Sequence, residues 1–166
     1  MDESILPQPF SPRENGVEHA RSVLEHFRWP NGPVCPTCGS QRPLYKQTRA
    51  GVAGYYRCPN KDHHPSGKPL VFTVRTETLL QRSHVPLDKW LFCLCWFARL
   101  PSEHWIPNAS SIARVIDVNR KTATSLLKRL DSLRYGNESD SRSNKFLLQL
   151  MLVVLKQHGY LRPVRR

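Results

Sequence analysis

The sequence has no long apolar run and few acidic residues. It contains no stretch of about 18 apolar residues, no signal-peptide core near Met1 and no lipidation motif, so we expect neither membrane insertion nor secretion. The 166 residues include 13 Asp and Glu against 25 Lys and Arg, a formal net charge of +12. Such an imbalance favours a polyanionic partner. We therefore expect a cytoplasmic protein that binds nucleic acid and no membrane.

The cysteines do not suit a disulfide framework. There are five, an odd number, and Cys35 and Cys38 form a Cys-x-x-Cys pair. This spacing is typical of a metal-binding turn in a reducing compartment. Cys93 and Cys95 lie among large apolar residues and would point to different faces of a helix. We expect this second pair to be buried as small hydrophobic residues rather than to bind metal.

Residues 1–30 are predicted to form an extended arm followed by a helix. Ser11 can cap the first turn, Pro12 fits that turn, and Glu14 completes a capping box. The helix should end before Pro30. The apolar residues that follow one another at helical spacing are Val17, Ala20, Leu24 and Phe27.

Residues 31–80 are predicted to form a zinc ribbon, because residues 31 to about 67 are rich in Gly, Pro and Cys and the segment contains short strand-like pieces. Those pieces are 44–48, 54–57 and 70–74. Cys35, Cys38 and Cys58 would each supply a thiolate ligand. No cysteine lies three residues beyond Cys58, but His63 and His64 follow it.

The expected metal site is therefore a Cys3His zinc site. We favour His63 as the fourth ligand, because Cys-x4-His is nearer to common zinc-knuckle spacing than Cys-x5-His, and keep His64 as the alternative. Four protein ligands leave no open position for water or substrate. The zinc is thus expected to be structural and to drive folding of the ribbon.

Residues 84–134 are predicted to form a helical domain with a helix-turn-helix. A strongly apolar helix should begin at Pro86 and end by Pro101. Helices at 111–116 and 120–133 follow, separated by the turn 117–119. Asp117 occupies the turn position where Gly is commonest, and Asp can adopt the left-handed conformation at modest cost.

The second of these helices is the candidate DNA-reading helix, because its first turns hold both donors and acceptors of hydrogen bonds. An alternative is an ordinary helical hairpin whose charged face is only solvated. The residues expected to contact DNA are Asn119, Arg120, Lys121, Thr122, Thr124, Ser125 and Lys128.

The carboxyl-terminal part is predicted to be a polar linker, 135–144, followed by a helix and a basic tail, 145–166. The helix is apolar enough either to form an interface with a second copy or a protein partner, or to pack onto its own domain. Its apolar residues are Phe146, Leu147, Leu150, Met151, Val154 and Leu155.

The order of these motifs resembles the amino-terminal half of IS1595-type (ISXO2-like) insertion-sequence transposases, from about Phe10 to Arg134. The residues that carry the resemblance are 27–40 (FRWPNGPVCPTCGS), 56–58 (YRC), 72–78 (FTVRTET) and 86–90 (PLDKW). The resemblance implies a zinc ribbon and helix-turn-helix that recognise transposon-end DNA. It also implies a following ribonuclease-H-like domain that cuts and joins DNA with three acidic residues and divalent metal.

Two features depart from the family pattern. The second knuckle of the family is usually Cys-x-x-Cys, whereas Cys58 is followed here by the His pair and an insertion through Gly67. After Arg134 the acidic residues are Glu138 and Asp140, and two carboxylates do not supply a two-metal strand-transfer site. We therefore expect no catalytic residues and no enzyme activity.

Three functions are compatible with the sequence. The first is a sequence-specific double-stranded DNA-binding protein, a regulator or a targeting or accessory factor derived from a transposase. The second is the recognition subunit of a split transposase or nuclease whose catalytic domain is on another chain. The third is RNA binding through Tyr55 and Tyr56, although adjacent tyrosines in a strand more often pack within the fold.

Overall fold

The computed structural model describes residues 12–41, 45–49, 52–99, 108–135 and 138–157. The chain forms a small α+β fold, as predicted. A short 3-10 turn, Lys61–His63, lies between the second and third strands. The elements in chain order are α1 (Pro12–Arg28), β1 (Tyr45–Arg49), β2 (Val52–Cys58), β3 (Leu70–Phe72), α2 (Leu87–Arg99), α3 (Ala109–Ile116), α4 (Arg120–Tyr135) and α5 (Glu138–Gln157).

The three strands form one antiparallel sheet in the order β1-β2-β3. Tyr56 of β2 is opposite Phe72 of β3, and Cys58, the last residue of β2, is opposite Leu70. The predicted strands lie within two residues of the observed bounds. The central strand therefore delivers Cys58 to the end of the sheet where β3 begins.

Helix α1 is kinked near its start at Gly16, whose backbone has a positive φ and is not helical (φ 65°, ψ 174°). The turns after this kink define the buried face, on which Ala20, Val23 and Leu24 are fully buried. Val17, predicted to be on that face, is 42% exposed. Its position next to the kink explains the difference, because the helical spacing holds only for the residues that follow.

Three aromatic rings join the end of α1 to the sheet. Trp29 meets Tyr56 and Phe72 edge-on, with centroid separations of 5.5 and 5.8 Å, and Tyr56 stacks on Phe72 at 5.7 Å. Each such pair is worth about 0.5–1.5 kcal/mol beyond its buried area. The Tyr56 hydroxyl donates to Glu25 of α1 at 3.0 Å, and burial together with the Glu25 charge raises the pKa of Tyr56 to about 12.

Helix α2 is at the centre of the helical part. Its Trp90, Leu91 and Leu94 are fully buried, and α1 and α5 pack against it. Cys93 and Cys95 are also buried, as predicted, and burial raises the pKa of both thiols to about 12. A single hydrophobic cluster runs through the ribbon and the helices. Within the described residues, no helix is both long and apolar enough to cross a membrane.

Helix α5 begins at Glu138, inside the segment 135–144 that was predicted to be a linker. Acidic residues favour the positive end of a helix, which explains why a polar start is helical. Asn144 anchors the helix, because its Oδ1 accepts a hydrogen bond from the Leu79 amide at 2.9 Å. The inner face of α5 packs onto the helices of its own chain, with these residues buried: Phe146, Leu147, Leu150, Val153 and Val154.

The connecting segment, residues 73–86, joins the ribbon to the helices and is held at its start by Arg28. The Arg28 guanidinium donates to the carbonyls of Val74 at 2.7 Å, Thr76 at 2.8 Å and Thr73 at 3.3 Å. It also lies 4.9 Å from the centroid of the Trp29 ring. Burial lowers the pKa of Arg28 to about 10. This side chain therefore fixes the exit from the sheet.

Arg129 of α4 holds the middle of the same segment. It donates to the carbonyl of Leu79 at 2.6 Å and to that of Gln81 at 2.8 Å. Because Arg28 comes from α1 and Arg129 from α4, the two arginines fix α4 relative to the ribbon through one stretch of backbone.

Replacing Arg28 by Met tests this role. Met keeps an apolar stem of similar length but leaves the carbonyls of Val74 and Thr76 without this donor, whereas the Thr73 carbonyl still accepts from the Thr76 amide. We therefore expect the free energy of unfolding to fall by about 2–3 kcal/mol. Arg114→Met, at an exposed position of α3, is the matched control and should stay within about 0.5 kcal/mol. Urea unfolding in excess zinc measures the free energy of unfolding of both variants. An equal loss in the two variants would contradict the role of Arg28 in holding the connecting segment.

Candidate functional site

Four side chains converge at one end of the ribbon, and their ligand atoms all lie within 4.8 Å of one another: Cys35, Cys38, Cys58 and His64. Cys35 Sγ is 3.5 Å from His64 Nε2, and Cys38 Sγ is 3.7 Å from Cys58 Sγ. Tetrahedral zinc holds two sulfurs about 3.8 Å apart, and a sulfur and a nitrogen about 3.6 Å apart. The donor set and its spacing fit a structural zinc ion.

The first two ligands are presented by a tight turn. The Cys35 amide donates to the Ser40 carbonyl at 3.0 Å, and the Gly39 amide donates to the Cys35 carbonyl at 2.9 Å. Gly39 has φ 68°, a backbone conformation that glycine adopts freely and that is strained for residues with a side chain. Burial raises the pKa of Cys35 to about 11, whereas a backbone hydrogen bond from Ser40 lowers that of Cys38 to about 7. Bound zinc would hold both as thiolates.

His64 is oriented by its backbone and by its second ring nitrogen. It follows the 3-10 turn, and its backbone is extended (φ −107°, ψ 133°). The His64 amide donates a hydrogen bond to the Lys61 carbonyl at 3.1 Å. Its ring is buried, and Nδ1 donates to the Lys68 carbonyl at 2.9 Å. That hydrogen bond fixes the tautomer and leaves the Nε2 lone pair for a metal.

The fourth position thus differs from the preferred expectation. The cluster contains His64, the alternative; the side chain of His63 lies outside the described residues. Residue spacing alone takes no account of the direction in which a side chain leaves the backbone. Pro65 is a sequence signal that favours His64, because a residue before proline is restricted to extended conformations.

Helices α3 and α4 are joined by a short turn, as predicted. Asp117 adopts the left-handed conformation (φ 52°, ψ 67°), and its amide donates to the Ala113 carbonyl. The side chain of Asn119 caps α4, since its Oδ1 accepts from the Thr122 amide at 2.7 Å. The two helices pack through buried Ile112, Ile116, Ala123, Leu126 and Leu130.

The outer face of α4 is polar and cationic. The exposed members of the predicted DNA-contacting set are Asn119, Arg120, Lys121, Thr124, Ser125 and Lys128, and Thr122 is half-buried. Two of them have structural roles, because Asn119 is the cap and the Thr124 hydroxyl donates to the Arg120 carbonyl at 2.9 Å. Arg120, Lys121, Ser125 and Lys128 are the better candidates for intermolecular contacts.

The ribbon corresponds to a known domain family. Residues 18–60 match the family model of the transposase zinc-ribbon domain of the IS1595 type. This segment is similar to a transposase zinc ribbon. The matched segment begins inside α1 and includes Cys35, Cys38 and Cys58, whereas His64 lies beyond its end. Comparison with curated proteins and with solved structures found no match.

Two other sequence expectations concern RNA binding through the adjacent tyrosines and a second metal site. Tyr56 is 5% exposed and stacks on Phe72, so its ring is not available to stack on a nucleobase. Among the described residues, no second set of three or more His, Cys, Asp or Glu side chains converges as the zinc ligands do.

The ligand set is tested by two neighbouring substitutions. His64→Ala removes the Nε2 ligand, so we expect it to lower bound zinc well below one ion per chain and to destabilise the ribbon. His63→Ala is the matched control and should keep one zinc per chain. Zinc content of the purified proteins, measured by mass spectrometry of the metal, decides between them. Loss of zinc in the control alone would assign the ligand to His63.

Proposed function

We propose that this protein is a zinc-stabilised, sequence-specific double-stranded DNA-binding protein derived from a transposase, with α4 as its reading helix. It acts as a regulator or as a targeting or accessory factor. The observation that carries the proposal is that a transposase zinc ribbon shares one core with a short-turn helix pair whose second helix presents an exposed cationic face.

The geometry of α4 suits insertion into a major groove. Lys121, Thr124, Ser125 and Lys128 form an exposed stripe along α4. At roughly 100° per residue, this stripe lies opposite the buried face formed by Ala123, Leu126 and Leu130. A helix about 10–12 Å across fits a groove about 12 Å wide. The side chains that would then face the base edges are Lys121, Ser125 and Lys128.

The chemistry of this stripe supports base reading together with backbone contacts. Lys and Arg donate to the O6 and N7 atoms of guanine, and Ser hydroxyls either donate or accept. Arg120 begins the helix, where the first turns of a reading helix contact DNA. The net charge of +12 adds sequence-independent attraction to phosphates.

The zinc site supplies folding energy rather than chemistry. With Cys35, Cys38, Cys58 and His64 all bound, a tetrahedral ion has no open position at which to activate water. We therefore assign no catalytic residue, and the protein contributes recognition rather than cleavage.

A selection of bound fragments from random duplex DNA would identify the target. On the selected duplex, Arg120→Ala and Lys121→Ala should each weaken binding by roughly five- to 100-fold, because each removes a cationic donor from the first turn of the reading helix. Fluorescence anisotropy measures the affinity, and both variants should keep the zinc content and unfolding temperature of the parent.

Lys156→Ala removes an exposed charge of α5 and serves as the control. It should change the affinity less than about twofold. The proposal would be wrong if neither α4 variant altered affinity or sequence preference, or if the selection returned no preferred sequence.

A further inference from the structure

A cleft of about 350 Å³ separates α4 from the end of the connecting segment. On the segment side its lining includes two exposed basic residues, Arg82 and His84. On the α4 side it is lined by Asn119, Thr122, Ser125, Leu126 and Arg129.

The cleft opens beside the exposed stripe of α4 rather than behind it. Around the helix axis, Thr122 and Arg129 flank the stripe on one side, and Ser125 lies between them and Lys121 at roughly 100° per residue. Ser125 both lines the cleft and is exposed on the stripe. Arg82 and His84 are therefore on the same side of the protein as the reading face.

The backbone that carries these two residues is braced on both sides. Arg129 binds the carbonyls of Leu79 and Gln81, before Arg82. Arg75 donates to the carbonyls of Ser83 at 3.0 Å and Val85 at 2.8 Å, on either side of His84. The segment therefore carries two exposed cationic or donor side chains on a braced backbone.

Arg82 has an unusual backbone conformation for its residue type. Its φ is 55°, in the left-handed region that favours glycine and strains other residues by roughly 1–2 kcal/mol. A glycine would relieve the strain, so the backbone does not account for an arginine here.

We propose that Arg82 and His84 form a phosphate clamp that binds the DNA backbone at one wall of the groove that α4 enters. A helix that fills the groove brings its flanks against the sugar-phosphate walls, and the segment lies at one flank. A guanidinium binds phosphate in bidentate fashion, and an imidazole N–H adds one hydrogen bond. Such contacts set register and orientation without reading sequence. The proposal rests on the DNA-reading role of α4.

Anisotropy titrations over a range of salt concentrations test the clamp. The probes are the selected duplex and a scrambled duplex of the same composition. Arg82→Ala should weaken binding to both duplexes by the same factor, roughly five- to tenfold at low salt, and lower the slope of log affinity against log salt by about 1. Lys156→Ala, an exposed lysine on another helix, is the control for loss of one charge and should leave the slope unchanged.

Two further variants separate charge from folding. Arg82→Gly relieves the backbone strain, so it should be at least as stable as the parent yet bind DNA as weakly as Arg82→Ala. Arg82→Lys keeps the charge but loses the bidentate geometry, so it should keep the salt slope of the parent and recover only part of the affinity. Unchanged affinity and salt slope in both the Ala and Gly variants, with Arg120→Ala still weakening the selected duplex, would overturn the clamp alone. If Arg120→Ala also had no effect, the reading role of α4 and the clamp would both be wrong.

Discussion

The convergence of three thiols and one imidazole on a single point is the constraint on which the rest of the structure depends. The strands of the ribbon are short, and sheets of this size rarely bury enough apolar surface to fold alone. A zinc ion bound by Cys35, Cys38, Cys58 and His64 ties the first turn to the end of β2 and to the loop before β3. With those ends fixed, Tyr56 and Phe72 face Trp29 and attach the sheet to α1.

The connecting segment fixes the position of α4 relative to the ribbon. Arg28 fixes the residues that leave β3, and Arg129 fixes the middle of the segment from the other side. Arg75, from the segment itself, adds hydrogen bonds to the carbonyls of Ser83 and Val85. The exposed positions, Arg82 and His84 among them, are thereby left available for contacts with a partner. The metal site and α4 are in this way linked by hydrogen bonds to one stretch of backbone.

Local patterns predicted much of this fold. Helix periodicity located α2 and α4, and the Cys-x-x-Cys turn with Cys58 identified three of the four ligands. The fourth ligand depended on the direction of a side chain after a 3-10 turn, which residue spacing does not encode. The start of α5 was missed because its polar residues read as a linker, whereas Asn144 secures it through Leu79. Contacts such as Arg28 with Val74 join residues far apart in sequence and have no local signature.

X-ray absorption at the zinc edge of the purified protein tests the central claim most directly. The account predicts one zinc per chain with three sulfur ligands at about 2.3 Å and one nitrogen ligand at about 2.0 Å, and no bound water. A shell with two sulfurs, or with an oxygen from water, would mean an open or differently assembled site. Either result would contradict a closed Cys3His centre as the basis of the fold.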